Sequence, residues 1–283
     1  MIEFLIDLKH YGFLQNAMLA GILAGLPCGV VGSYVVTRRI TYIAGGIAHC
    51  VLGGIGAARY FQKVQGWEWF EPLYGAVLAA VLAAGVIGFV SLHAAEREDT
   101  AISALWAVGM AVGLLFITRT PGYNEDLMGY LFGNILLVGP GDLLLLLALD
   151  LIVITLAIMF YNRFLAVCFD EEFARLRGVP VEFFYLLLLV LTALTVVLLI
   201  SVVGIVLVIA LISLPAAIAG KFTRSLGRMM VLAAVLCVLF NLSGLALSYA
   251  PDLPPGAVTI VIAGAVYFVV SLSFRIIKRN KQY

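Results

Sequence analysis

Three observations predict an all-α fold, a polytopic transmembrane helical bundle of eight to nine spans. The first is a 41-residue stretch, Val181 to Lys221, in which Glu182 is the one charged residue before the closing lysine. A hydrocarbon core about 30 Å thick takes roughly 20 helical residues, so this stretch must cross, turn and cross back. The second is composition: 64% of residues are hydrophobic, 12% are charged and mean hydropathy is +1.13, against about 25% charged in a globular domain. A soluble fold of 283 residues could not cover that much apolar surface with so few charges. The third is the placement of lysine and arginine, which collect in alternate loops.

Apolar runs long enough to cross, read with their flanking charges, fall near 11–37, 41–61, 72–95, 101–118, 142–162, 181–201, 203–220, 229–249 and 256–274. The count of eight or nine depends on how Val181 to Lys221 folds back. Between Pro121 and Pro140 lies a shorter apolar piece, 127–138, bracketed by Gly and Pro. Too short to span, it reads as a re-entrant or interfacial helix. Positively charged loops stay on the cytoplasmic side. With the N-terminus outside and nine crossings, 13 of the 17 basic residues fall inside; Lys9, Arg59, Lys63 and Arg119 fall outside. All of residues 1–283 read as a single transmembrane domain, multi-pass in a bilayer.

Residues 1–10 carry Glu3, Asp7 and Lys9, without the basic start and small-residue site of a cleaved signal. The first span therefore serves as its own insertion signal. Cys28, Cys50, Cys168 and Cys237 stand far apart with no CxxC pair, and read as small buried hydrophobes. The chain lacks the basic, aromatic-interleaved surface of a nucleic-acid binder. It also lacks a GxxxxGK[ST] phosphate loop, an HExxH and any paired catalytic acids. No enzymatic role is expected.

One inside loop is more than a connector. From Phe169 to Pro180 it reads FDEEFARLRGVP: Asp170 suits an N-cap, Glu171 and Glu172 the first turn, Arg175 and Arg177 the last, and Gly178 the stop before Pro180. Such a capped helix is either a knob that a cytoplasmic partner grips or an interfacial helix lying on the headgroups.

Several segments, in order, resemble the permease family of ATP-binding-cassette (ABC) importers for zinc, manganese and iron. They are GSYVVTRR (32–39), AGGIAHCVLGG (44–54), LMGYLFGNIL (127–136), FDEEFARLRGVPV (169–181), VGIVLVIALISLPAAIA (203–219) and DLPPGA (252–257). The resemblance implies a transport subunit without its own ATPase. Two permease chains, expected to be identical, would form the pathway. Cytoplasmic ATP-binding subunits would bind ATP and hydrolyse it, and an extracytoplasmic metal-binding protein would deliver the ion. No cofactor would be permanently bound. The Asp170–Gly178 helix would be the coupling helix, with Asp170, Glu171, Glu172, Ala174, Arg175 and Gly178 as ATPase-coupling residues.

Permeases of this family commonly carry an Asp and a His four residues apart on one face of the second span. His49 occupies the His position, but Gly45 stands in place of the Asp. An imidazole within an apolar span is costly unless it faces a cavity or a partner, so His49 is either an ion contact or hydrogen-bonded to a neighbouring helix. Asp150, deep in the fifth span, is a second intramembrane polar group, read first as structural and only second as a metal contact. Pro215 removes a backbone bond late in the seventh span and is either a gate or a static kink. The turn at 253–256, Leu-Pro-Pro-Gly, is read as a stiff turn. Loss of the Asp tips the expected ion slightly toward zinc, since manganese prefers oxygen-rich sites. The readings kept open are a permease for a metal chelate or corrinoid, and a gradient-driven secondary transporter.

Overall fold

The structure is a computed structural model describing residues 2–93, 98–121, 133 and 135–280. A short helix α1 (Ile2–His10) precedes the first long one. Nine helices among the described residues are long and apolar enough to cross a membrane. They are α2 (Gly12–Arg38), α3 (Thr41–Val64), α4 (Pro72–His93), α5 (Glu98–Arg119), α6 (Pro140–Met159), α9 (Val181–Val203), α10 (Ile205–Phe222), α11 (Leu226–Tyr249) and α12 (Pro255–Asn280). Two short helices, α7 (Tyr161–Phe169) and α8 (Glu171–Leu176), fill the connection between α6 and α9. All nine predicted spans are present, and the helix boundaries agree to within a few residues. The fifth ends earlier than expected, at Met159, because the chain breaks at Phe160 and restarts as α7. Most of the predicted re-entrant helix at 127–138 lies outside the described residues; its end, Ile135–Leu137, is a single 3-10 turn packed on α2.

The return within Val181 to Lys221 takes one residue. Gly204 adopts φ 80° between α9 and α10, a conformation open to glycine and strained for any residue with a Cβ. The turn is buried, with Gly133 lying against the Val203 and Gly204 backbone.

At the centre, α2 packs against α11, α10, α6 and α9, while α3 packs most extensively on α5 and α4. Lipid tails are as apolar as leucine, so helices associate here through close fit rather than through burial from water. Glycine supplies that fit. A Cβ on Gly53 would come 2.9 Å from the Gly109 carbonyl oxygen of α5, and one on Gly113 would come 2.8 Å from the Leu52 carbonyl oxygen of α3. Several hydroxyls within the spans return to their own helices: Ser33 donates to the Gly29 carbonyl at 2.7 Å, and Thr192 and Thr195 donate to Leu188 and Leu191 at 2.8 Å. This satisfies donors that hydrocarbon cannot. The outer faces of α5, α6 and α12 expose Leu115, Leu144, Leu151, Val261 and Phe268, as a bilayer-facing surface requires.

Candidate functional site

Helix α3 carries small residues on several faces, so two neighbouring helices, α5 and α4, approach it closely. Gly46 meets Ile102, Cys50 meets Gly109, and Gly54 meets Gly75 and Ala79. The Cys50 thiol donates to the Leu105 carbonyl at 3.3 Å, which gives it a packing and bonding role within the helix pair. His49, one residue earlier, points elsewhere. Its ring stacks on Trp106 of α5, with centroids 4.3 Å apart and planes 9° from parallel. Its buried Nδ1 has no hydrogen-bond partner among the described residues. At Gly45, one turn away, a side chain would meet the terminal methyl of Ile209 at 3.6 Å. The space of the missing carboxylate is thus bordered by an aliphatic side chain of α10.

Asp150 lies on α6 at 3% exposure, with neither carboxylate oxygen bonded among the described residues. It faces α2, where Cys28 is close enough to interact electrostatically, whereas His49 faces α5. The two sequence candidates are therefore not brought together, and no cluster of three or more His, Cys, Asp or Glu among the described residues could hold a metal ion. Asp150→Asn keeps the shape and removes a charge that is costly to bury. Reconstituted protein carrying it is expected to melt at or above the wild-type temperature and to transport at the wild-type rate.

Pro215 sits inside α10, which continues helically through it. A proline leaves the carbonyl four residues earlier without its N–H donor. That carbonyl, Leu211, receives the Cys237 thiol of α11 at 3.5 Å. A cysteine with no sequence signature thus ties α11 to α10 at the proline.

The loop between α6 and α9 has the predicted caps. Asp170 Oδ1 accepts from the Phe173 amide at 2.9 Å, and Gly178 takes φ 75° while its amide closes the helix on Arg175. Ala174 is fully buried beneath α8, so it seats the helix. Arg175 reaches Glu182 at 3.9 Å in an exposed pair, a geometry that contributes little. The residues that composition alone did not single out are apolar: Phe169, Phe173 and Leu176 are exposed at 68%, 49% and 87%, forming a hydrophobic tip on a charged loop. In α7, burial pushes the Cys168 thiol up to about 12 against the opposing pull of Arg38, which leaves it unreactive at neutral pH.

Nine apolar helices, a small-residue core and a capped, apolar-tipped helix between two of them define a polytopic membrane protein. The chain matches the model of the ABC 3 transport family over residues 10–275. It belongs to that family, as a permease component of an ABC transporter in the prokaryotic cytoplasmic membrane. It is 42% identical to a protein of Chlamydia pneumoniae named "probable metal transport system membrane protein", over 90% of this chain and 86% of that one. It is 35% identical to the manganese transport system membrane protein MntC of Halalkalibacterium halodurans, over 92% and 87%. Among solved structures it resembles PsaBC from Streptococcus pneumoniae in complex with Fab, with a TM-score of 0.85 and 29% identity over 95% of each chain.

Proposed function

We propose that this chain passes a divalent first-row transition metal ion into the cytoplasm. In this reading ATP is bound and hydrolysed by separate subunits seated on α8, and an extracytoplasmic protein delivers the ion. His49 is the observation that carries it. The imidazole lies in an apolar span, steadied by a stacked indole, with a nitrogen left unpaired. A buried nitrogen without a partner costs free energy, and an ion in transit relieves that cost. One imidazole is a poor ligand set, which supports pairing with a second permease chain, expected to be identical, that brings its own His49 to the shared path.

Relatives named for manganese weigh toward that ion. The aliphatic surround of Gly45 supplies no oxygen donor and favours zinc as the second reading. The complete importer, reconstituted in liposomes and given radioactive manganese or zinc, separates the two by which ion accumulates. In the same assay His49→Ala is expected to lower uptake by about tenfold or more, since even outer-shell changes at metal sites cost that much. Wild-type uptake at matched protein would remove His49 from the path. Pro215 is the proposed flexing point of α10 near the inner mouth.

A further inference from the structure

Helix α8 is only six residues long and cannot move the membrane core unless something rigid connects them. The backbone on either side is a poor connector, since Asp170 is extended and Gly178 is left-handed. Buried Ala174 seats α8 on its immediate neighbours, and the link to the central helix runs through one side chain of a distant segment. Arg38 is the last residue of α2, which ends there because Arg39 adopts φ 63°. Its guanidinium forms an ion pair with Glu171, the first residue of α8. A second nitrogen of the same group, Nη1, donates to the Val167 carbonyl of α7 at 3.1 Å. The plane lies over the Tyr185 ring of α9, 5.3 Å from its centroid, and the Tyr185 hydroxyl shares a hydrogen bond of 3.1 Å with Ser91 of α4.

We infer that Arg38 is the positioning residue through which displacement of α8 reaches the transmembrane core. Both ends of the link are significant. Glu171 sits in the first turn of the docking helix, and α2 is the helix against which α11, α10, α9 and α6 pack. The side chain is about three-quarters buried, so its ion pair is less screened than the exposed Arg175 to Glu182 pair. The planar fork is essential. A guanidinium can hold a carboxylate and a carbonyl in two directions while stacking on a ring, and an ammonium cannot do all three. A push on α8 therefore moves α2, α7 and α9 together, with α4 following through Tyr185, instead of bending a loop.

This inference rests on the reading of α8 as the ATPase docking helix. The test uses the complete importer in liposomes, with Arg38→Lys, Arg38→Met and Glu171→Gln, and measures three quantities: ATPase retained on purification, ATP hydrolysed, and manganese taken up. In Arg38→Met the ATPase is expected to stay bound and to hydrolyse ATP near the wild-type rate, while ions moved per ATP fall about tenfold, the scale of one lost charge-assisted hydrogen bond. Glu171→Gln shifts the ratio in the same direction by less. Arg38→Lys, which keeps the charge beside Glu171, is the back-up should Arg38→Met fail to fold, and it too shows a reduced ratio because it loses the planar contact over Tyr185. An unchanged ratio in Arg38→Lys and Glu171→Gln overturns the inference. So does loss of ion transport only in proportion to loss of bound ATPase, because Arg38 would then merely shape the docking surface. If α8 is not the docking helix, a charge placed on its exposed tip leaves the ATPase bound, a result that separates failure of the underlying reading from failure of this one.

Discussion

Gly54→Val is expected to disrupt the α3 to α4 contact and to yield a permease that unfolds well below the wild-type temperature. The Gly54 position lies against the Gly75 carbonyl and the Ala79 methyl, and Gly75 lies reciprocally against the Gly54 carbonyl and Ala58. A side chain at either position meets backbone, which cannot rotate away as a flexible side chain would. Overpacking of a close-fitted interior costs about 1–3 kcal/mol and occasionally more, and here the helices must separate along their length. Thermal unfolding of the purified permease measures the effect. Gly85→Ala in α4 is the control: its added Cβ meets nothing within 4 Å, so it is expected to leave the melting temperature unchanged or slightly raised, in line with alanine's higher helix propensity. Equal behaviour of the two variants would show that contact distance between these helices does not limit stability.

Leu176→Asp is expected to release the ATPase subunits while leaving the permease folded. Leu176 is the most exposed large apolar residue among those described, at 87%, so replacing it removes little internal packing. A central apolar anchor in a protein interface carries about 2 kcal/mol or more, which corresponds to a loss of affinity of roughly 30-fold. Copurification of the ATPase with tagged permease reads this directly, and the permease melting temperature reports that the fold is intact. Retention of the ATPase at the wild-type level would move the docking surface away from α8.

The two outcomes test different parts of what the sequence displays. The spans were legible because run length against bilayer thickness is a nearly one-dimensional criterion, and the flanking charges assign the side. The caps of α8 were legible too, since Asp170, the acidic first turn and Gly178 each act within a few residues of themselves. Helix α7 was missed as a separate element because its start merges with the apolar end of α6. The short reversal at Gly204 was expected only as a fold-back, since 28 glycines offer many equivalent places to turn.

At the candidate pathway, His49 stood out by residue type and position, but its setting did not. The stacking on Trp106 and the approach of Ile209 to Gly45 join three separate helices. The same holds for Cys237 beside Leu211 and for Arg38 beside Glu171. Each pairs residues whose partners lie in other segments, and one chain without alignment carries no sign of which segments meet.

Composition alone established a multi-pass membrane chain, and local sequence the capped helix between two of its spans, while charge placement gives an expected side for each loop. They could do so because the penalty for unpaired backbone or charge in hydrocarbon is large enough to act residue by residue. Which face of each helix meets which neighbour was decided only in three dimensions. In these spans nearly every face is apolar, so hydrophobic periodicity cannot orient a helix. The choice passes to the shape fit of glycines and to a few buried polar groups, and both depend on two surfaces at once.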